Sequence, residues 1–501
     1  MKSSARFTPR QPLPTKITLL AALVLLSACS VGPDFQRPDA SLSQHYDQQA
    51  EQPHGTPGAQ RFDMGKHLTG DWWSAFRSPK LDQVVRRAID GNLELVAADA
   101  TLRQAASSMA AAEGALYPQV DFGAQAGRQR THNGPTPSVA NFYAIGPRVA
   151  FDLDPFGGNK RWVEEHKALT DLQAHRYEAA YLTLTGNVAS QALLLASANA
   201  QIAAVEKLLA NDTKNLDLIR LAQQHGSTTR IDVALAQTRL AQDRTLLPPL
   251  AQQRDSARHA LSILAGKGPA DWHAPDFSLD DFTLPSNIAV SLPSEMAHAR
   301  PDVLQAEAEL HIASAAVGVA TANLYPHVEL SASLAQAASG NGAAALWGFA
   351  AGLTAPIFNG GALEAERQAA VDGYNAALAR YQQTLIQSFG QVADTLQAIN
   401  HGAEQNLAQD DALRAAENSF QLNQQAYVQG ENSVLQVLEA ERAYQQALLG
   451  QIQARTARYL DSVHLFVALG GNSVGVFDEK SPPAKPQNAV FNNRFNDGEK
   501  T

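Results

Sequence analysis

Cys29 is the single cysteine of the 501-residue chain, and its neighbours decide what chemistry it can undergo. Lys2, Arg6, Arg10 and Lys16 precede an apolar run from Ile17 to Leu26 that closes on Leu26-Ser27-Ala28-Cys29. A basic end, a short apolar core and small residues before a cut make a secretory signal, and the run is too short to span a bilayer. Cleavage between Ala28 and Cys29 would leave the cysteine first in the mature chain, carrying a thioether-linked diacylglycerol and an acylated amino group. A lone cysteine also excludes disulfide staples. Ser30 stands where an aspartate would retain a lipoprotein in the inner membrane, which implies sorting to the outer one.

Other residues suited to chemistry do not assemble into a catalytic motif. Asp152 and Asp154 are paired carboxylates, but they sit beside Pro155, Gly157 and Gly158 at a strand-to-helix turn, where helix entry favours acids. The fourteen histidines include no H-E-x-x-H pair, and Gly266-Lys267-Gly268 lacks the flanking residues of a phosphate loop. We therefore expect no enzyme activity, no metal, and no cofactor beyond the covalent lipid on Cys29. Four basic and no acidic residues fall in the signal, so the mature chain carries about −14, a balance that disfavours nucleic acid as a partner.

The elements that position these residues are written twice. Ala115-Leu116-Tyr117-Pro118-Gln119-Val120-Asp121 matches Asn323-Leu324-Tyr325-Pro326-His327-Val328-Glu329. Phe156-Gly157-Gly158 echoes Phe358-Asn359-Gly360-Gly361, and Gly226 through Leu240 aligns with Gly430 through Tyr444. One unit used twice is the simplest reading. Within each unit the period changes. Val328, Leu330, Ala332 and Leu334 alternate with polar residues, as Trp347, Phe349, Ala351 and Leu353 do with small ones. Val120, Phe122, Ala124 and Ala126 form a third strand, and Val149, Phe151 and Leu153 end a fourth. Such alternation fits either membrane-length strands or the edge of a soluble sandwich. The loops are expected over Arg130 to Asn141 and Ser339 to Ala344. Four strands cannot close a barrel, whereas three chains would supply about twelve.

Elsewhere the sequence predicts helices too long for an ordinary globule. Between Glu164 and Gln224 there is no proline and only Gly186, and no proline occurs from Phe358 to Ser481. At about 1.5 Å per residue the first stretch alone approaches roughly 90 Å. Ile202, Val205, Leu208, Leu209, Leu216 and Ile219 recur at helical spacing among Ala and Gln, as in close coiled-coil contact. Each run breaks at Gly226 or Gly430 and resumes, and Pro248-Pro249 should kink the first returning helix. After Cys29 no continuous run of eighteen apolar residues appears, which predicts no spanning helix and leaves a β-barrel as the only route across a membrane.

These residues resemble the outer-membrane factor (TolC-like) family of tripartite efflux systems, in its lipoprotein (OprM- and NodT-like) branch. The likeness is carried by Cys29-Ser30-Val31-Gly32-Pro33-Asp34-Phe35, Trp72-Trp73, Phe151-Asp152-Leu153-Asp154-Pro155-Phe156-Gly157 and Ala299-Arg300-Pro301-Asp302-Val303. It implies an α+β membrane protein: a homotrimer with a twelve-stranded β-barrel, four strands from each chain, continuous with a periplasmic α-helical barrel about 100 Å long. An equatorial domain would wrap the middle. The implied partners are outer-membrane lipid, a periplasmic membrane-fusion adaptor and an inner-membrane transporter of the resistance–nodulation–division (RND) type or a related one. The implied work is passive conduction of small toxic compounds or drugs to the exterior.

On that resemblance the chain divides as follows: signal 1–28; lipid-anchored equatorial wrap 29–78; helix 79–116; first β-hairpin 117–154; first long helix hairpin 159–265 with its tip near 226; equatorial connector 266–293; helix 294–324; second β-hairpin 325–357; second long hairpin 362–469 with its tip near 430; and tail 470–501. The family narrows at the periplasmic tips. Glu439 matches an acidic gate position, Leu435 an apolar constriction one turn earlier, and Tyr427 and Asp232 a hydrogen bond that holds the tip shut. Asn432 and Gln436 depart from the basic and acidic residues that relatives carry there. Two other functions remain open at this level: a type I protein-secretion duct, and a lipid-anchored periplasmic coiled-coil scaffold without a pore.

Overall fold

Glycines set the ends of the two longest elements. The computed structural model describes residues 30–38, 45–47, 49, 51, 56–66, 70–131, 138–339 and 342–471. The signal 1–28, the Ala28–Cys29 junction and the tail from 472, with Pro482-Pro483, lie outside the described residues. Before the first sheet, α1 (Pro79–Gly91) is capped by Ser78, and α2 (Leu93–Glu113) by Asn92. Helix α3 (Gly158–Gln224) and helix α8 (Ala362–Val428) each run 67 residues, about 100 Å at the helical rise. Gly157 (φ 78°) and Gly361 (φ 85°) precede them in the left-handed region that glycine enters without strain, and Gly226 and Gly430, both at φ 76°, follow them. Chain then returns through α4 (Arg230–Arg244) and α5 (Leu247–Leu264) in the first hairpin, and through α9 (Val434–Ala468) in the second. The break between α4 and α5 falls at Thr245–Leu246, because Pro248 and Pro249 have no N–H to offer and fit only the first turn of a new helix.

Between the helices lie two antiparallel strand pairs that form one sheet in the order β2-β3-β5-β6: β2 (Gln119–Thr131), β3 (Ser138–Asp152), β5 (His327–Ser339) and β6 (Gly342–Thr354). The strands run further than the loops predicted at Arg130–Asn141 and Ser339–Ala344 allow. Ladder pairing continues to Thr131↔Ser138 and Ser339↔Gly342, since the polar and small residues there still satisfy the backbone. Pairing puts Val120, Phe122, Ile145, Tyr143, Leu330, Leu334, Trp347, Phe349 and Leu353 on one face, and Gln119, Asp121, Arg148, Glu329, Ser331, Ser333 and Gly352 on the other. The apolar face is exposed: Phe122 at 71% and Phe349 at 82%. Gly146 is required in β3, because an added Cβ would stand 1.9 Å from the Leu334 carbonyl oxygen of β5.

A second, parallel pair escaped the sequence reading. β1 (Arg61–Met64) pairs with β4 (Asn287–Val290), so the early chain closes onto the connector between the hairpins. Around it Trp72, Trp73, Phe76, Phe277, Phe282, Tyr459 and Phe466 form the core, with α3 and α9 crossing it through Leu193, Ala196 and Val463. Two short helices follow β4: α6 (Pro293–Ala297) and α7 (Pro301–Ala322). One eighteen-residue window of α3 is apolar enough by composition to cross a membrane, a point that the search for unbroken apolar runs overlooked. More than half of it is buried against the rest of the chain, as befits a core helix.

Two buried arginines pin the middle of the molecule. Arg161 donates to the Val31 carbonyl at 3.2 Å, to Asp34 at 2.7 Å and to Glu164 at 2.7 Å, and holds segment 30–38 along α3. Phe35 stacks on His311 of α7 with centroids 4.2 Å apart. Arg300 donates from Nη1 to the Ala468 carbonyl at 2.8 Å and the Ser388 carbonyl at 3.3 Å, from Nε to Asp302 at 2.7 Å, and from Nη2 to Gln391. It thereby ties the start of α7 to α8 and to the end of α9. Arg300→Met would leave the Ala468 carbonyl at the end of α9 without a donor, would strip a second bond from the Ser388 carbonyl, and is expected to cost about 2 kcal/mol or more. A lowered midpoint in thermal unfolding of the detergent-solubilised protein checks it, and an unchanged midpoint would remove Arg300 from the set of structural ties.

Candidate functional site

The tips of the two hairpins are built by local capping chemistry. At the first, Thr229 donates to Asp232 Oδ2 from both its backbone N and Oγ1, each at 2.8 Å, and Asp232 N donates back to Thr229 Oγ1 at 3.2 Å. At the second, Ser433 and Gln436 make the equivalent box, and Asn432 Nδ2 donates to Asn423 Oδ1 at 2.6 Å. Gln436 and Asn432, which depart from the family pattern, are thus occupied in starting α9 and closing its turn.

Glu439 and Leu435 lie one turn apart on the same face of α9 and both are exposed, Leu435 at 51%. Tyr427, near the end of α8, packs its ring with Leu216 and Ile219 of α3, Ala236 and Leu240 of α4 and Val434 of α9. Burial, and then the negative charge of Asp232, raise the Tyr427 hydroxyl above its ordinary range. Within one chain the Asp232 carboxylate serves its own helix cap. Around the tips Leu218, Leu221, Ile231 and Val428 are exposed.

Behind this face lies a group of side chains the sequence reading passed over. Asp212 of α3, Asp243 of α4 and Glu441 of α9 are 4%, 3% and 0% exposed and meet where the two hairpins pack. Arg239 Nε lies 2.9 Å from Asp243 Oδ2, and Gln445 accepts from Arg239 while donating to Asp243 Oδ1 at 3.2 Å. Burial, with Glu441 and Asp243 facing it, pushes the Asp212 carboxyl up to about 8, and burial likewise raises Glu441. A signal was present: Val205, Leu208, Asp212, Leu216 and Ile219 form one stripe, as do Val434, Val437, Glu441 and Gln445. A carboxylate on an apolar stripe marks a buried charge.

At the other end of α3 the paired carboxylates are structural. Asp152 accepts from the Asp154 N at 3.1 Å and from Asn159 Nδ2 at 3.2 Å, while Asp154, at φ 46°, accepts from Lys160 N at 3.1 Å. Both hold the turn from β3 into α3. Among the described residues no group of three or more His, Cys, Asp or Glu side chains is arranged so that it could hold a metal ion.

A sheet with one apolar exposed face, joined directly to a pair of helices about 100 Å long, is the frame in which the comparisons fall. The sequence model of a family described as outer membrane efflux protein matches residues 84–267 and 292–471. The chain belongs to this outer membrane efflux protein family. Among relatives, the pyoverdine export outer membrane protein OpmQ of Pseudomonas aeruginosa is 33% identical over 416 residues, 80% of this chain and 87% of its own. The solvent efflux pump outer membrane protein SrpC of Pseudomonas putida is 28% identical over 467 residues, 90% and 97% of the two chains. The outer-membrane channel OprN superimposes with a TM-score of 0.83 at 26% identity, covering 89% of this chain and 99% of that one. The open state of the MtrE outer membrane channel of Neisseria gonorrhoeae matches in fold, with a TM-score of 0.77, 24% identity and coverage of 88% and 98%. This outer membrane efflux protein is accordingly an outer-membrane channel component of an efflux pump, in a family of transport proteins rather than enzymes.

Thr229→Ala removes one side of the cap at the first tip and is expected to weaken it by about 1 kcal/mol. Faster amide hydrogen exchange confined to residues at the start of α4 checks this, and unchanged exchange would show that the box does not hold the tip.

Proposed function

We propose that three copies of this chain close a twelve-stranded β-barrel and conduct small toxic compounds passively from a periplasmic adaptor and inner-membrane transporter to the exterior. The observation that carries the reading is the four-stranded sheet itself. Its apolar face is exposed, and its outer strands β2 and β6 each leave one side of the ladder without a partner. In hydrocarbon an unpaired strand edge is untenable, so β2 of one copy must pair with β6 of the next. The polar face, with Asp121, Arg148 and Glu329, then lines the lumen, and Phe122, Trp347 and Phe349 meet lipid. The two 67-residue helices with like glycine caps support an internal two-fold repeat. Signal cleavage after Ala28 and lipidation of Cys29 complete the anchor at the membrane.

At the periplasmic end, the exposed face of α9 bears the gate: three copies of Glu439 form a carboxylate ring, and Leu435 an apolar constriction beside it. A hydrogen bond between Tyr427 and Asp232 across the hairpins holds the tip shut, a reading supported by the effect of the Asp232 charge on the Tyr427 hydroxyl. Relatives whose names specify pyoverdine and solvents are similar to this chain over most of its length, which fits a duct whose cargo is chosen upstream.

Single-channel recording of the purified lipidated protein, with the mass of the detergent complex, tests the whole. A trimer with discrete cation-preferring openings is expected, and a silent monomer would overturn the reading. Glu439→Ala is expected to reduce cation preference; unchanged conductance and selectivity would remove the ring. Cys29→Ser is expected to abolish lipid labelling, whereas persistent labelling would exclude Cys29 as the attachment site.

A further inference from the structure

Glu439 and Glu441 stand two residues apart on α9, about 200° around the helix from one another. Glu439 is exposed, and Glu441 is fully buried against the first hairpin. We propose that Asp212, Asp243 and Glu441 form a proton-binding site that locks the packing of α9 against α3 and α4 when protonated and releases it on deprotonation. The proposal rests on the reading of the exposed face of α9 as the gate, since it links that face to the groups directly behind it.

The argument is one of charge and space. Three carboxyls face one cation, Arg239, which is already committed to Asp243 at 2.9 Å and to Gln445. Both oxygens of Asp212 and both of Glu441 are buried without a hydrogen-bond partner. Were all three carboxyls ionised, two negative charges would remain uncompensated in the interior, where the neutral acid is far the more favourable form. Arg239 and Asn215 favour the charged form of Glu441 only in part, against its burial and the facing Asp243, and the groups that act on Asp212 are themselves acids. From α3 the facing groups are Asp212 and Asn215, with Lys207 exposed at the edge of the adjoining cavity. Helix α4 brings Arg239 and Asp243, and α9 brings Glu441, Gln445 and Tyr444. Helix α8 brings Phe420, stacked on Tyr444 at 5.7 Å, with Glu417 acting on that tyrosine. The ligand is therefore a proton: the acids are neutral when packed, and one can share its proton with the next.

The direction follows from where the protons are held. When α9 separates from the first hairpin the carboxyls become hydrated and ionise near their ordinary value, 3.8 for an aspartate. When packed, Asp212 titrates near 8 because of its burial and the facing acids. The packed state thus binds protons more tightly. Its stabilisation is complete below the ordinary value and is lost as pH rises through the packed value. Acid locks the hairpins together, and neutral to mildly alkaline periplasm frees them.

The test uses the full lipidated chain with Asp212→Asn, Glu441→Gln and the double change, which keep the shape of the neutral acids. Two readouts are taken from about pH 5 to pH 9: single-channel open probability, and amide exchange in α4 and α9 corrected for intrinsic rates. In the unchanged protein, open probability should rise with pH, at most about tenfold per pH unit for each proton released, and protection should fall in parallel. In the double variant both should be flat and remain at the low-pH, locked level, with each single variant intermediate. A double variant that follows the unchanged protein's pH curve in exchange, or that is open at every pH, overturns the proton site. Absence of any conductance in the unchanged protein would overturn the channel reading instead. Amide exchange would still decide the proton site, because it reads the helix contact whether or not a pore forms. A Glu439→Ala channel with unaltered selectivity but intact pH dependence would remove the ring and keep the switch.

Discussion

An antiparallel sheet of four strands cannot stand in hydrocarbon with its outer edges open, and the rest of this structure is arranged around that constraint. Every backbone N–H and C=O in the bilayer core needs a partner within protein. β2 and β6 present theirs outward along 13 residues each. The strands end where the rods begin: β3 stops at Asp152 and α3 starts at Gly158, and the turn between them is fixed by Asp152, Asp154 and the left-handed Gly157. Whatever sets the tilt of the strands therefore also sets the direction of α3. The N-terminal segment is stapled at that same junction by Arg161, and Gly32 approaches Gly318 so closely that an added Cβ would lie 2.6 Å from its Cα.

Along the rods the problem changes from hydrogen-bond satisfaction to packing. Residues such as Ala189, Ala192 and Ala196 are small enough to let helix backbones approach, and polar pairs join α3 to α9 as well: Thr456 with Ser197 at 2.9 Å, and Gln453 with Gln201 at 3.4 Å. Such an interface is held by many modest terms, each weaker than a large apolar contact. Near the core the aromatic cluster about Trp72 and Phe466 makes it firm. Towards the tips the packing is smaller, a cluster about Leu216, Ile219, Leu240 and Val434, and the buried acids Asp212, Asp243 and Glu441 interrupt the apolar stripes of α3, α4 and α9.

Particular elements show how far the sequence could be read. The alternation in Val328–Leu334 and Trp347–Leu353 appears as β5 and β6, and the proline pair as the break between α4 and α5. The strands outrun the expected loops because Gly, Pro and Asn mark a turn by type without fixing where it begins, and ladder pairing carries β2 through Arg130. Parallel pairing of β1 with β4 joins segments more than two hundred residues apart and leaves no local trace. Asp232 completes a capping box that Thr229-Arg230-Ile231-Asp232 spells out locally.

By itself the sequence determined what depends on local physics. The run that ends at Cys29, the two periods of hydrophobicity, the glycines that must turn the chain and the absence of an assembled catalytic motif follow from residue type and spacing alone. Tertiary structure decided what depends on which surfaces meet. It made Arg300 a tie between α7, α8 and α9 rather than a surface charge, and it set Glu439 outward and Glu441 inward on one helix. It also brought together three carboxylates from three helices, with one arginine paired to Asp243 and acting on Glu441. The strength of a charge depends on its surroundings, and those are contributed by chain far away in sequence, so the stripe of α9 marks Glu441 as the glutamate that is buried but does not show the acids of α3 and α4 that surround it.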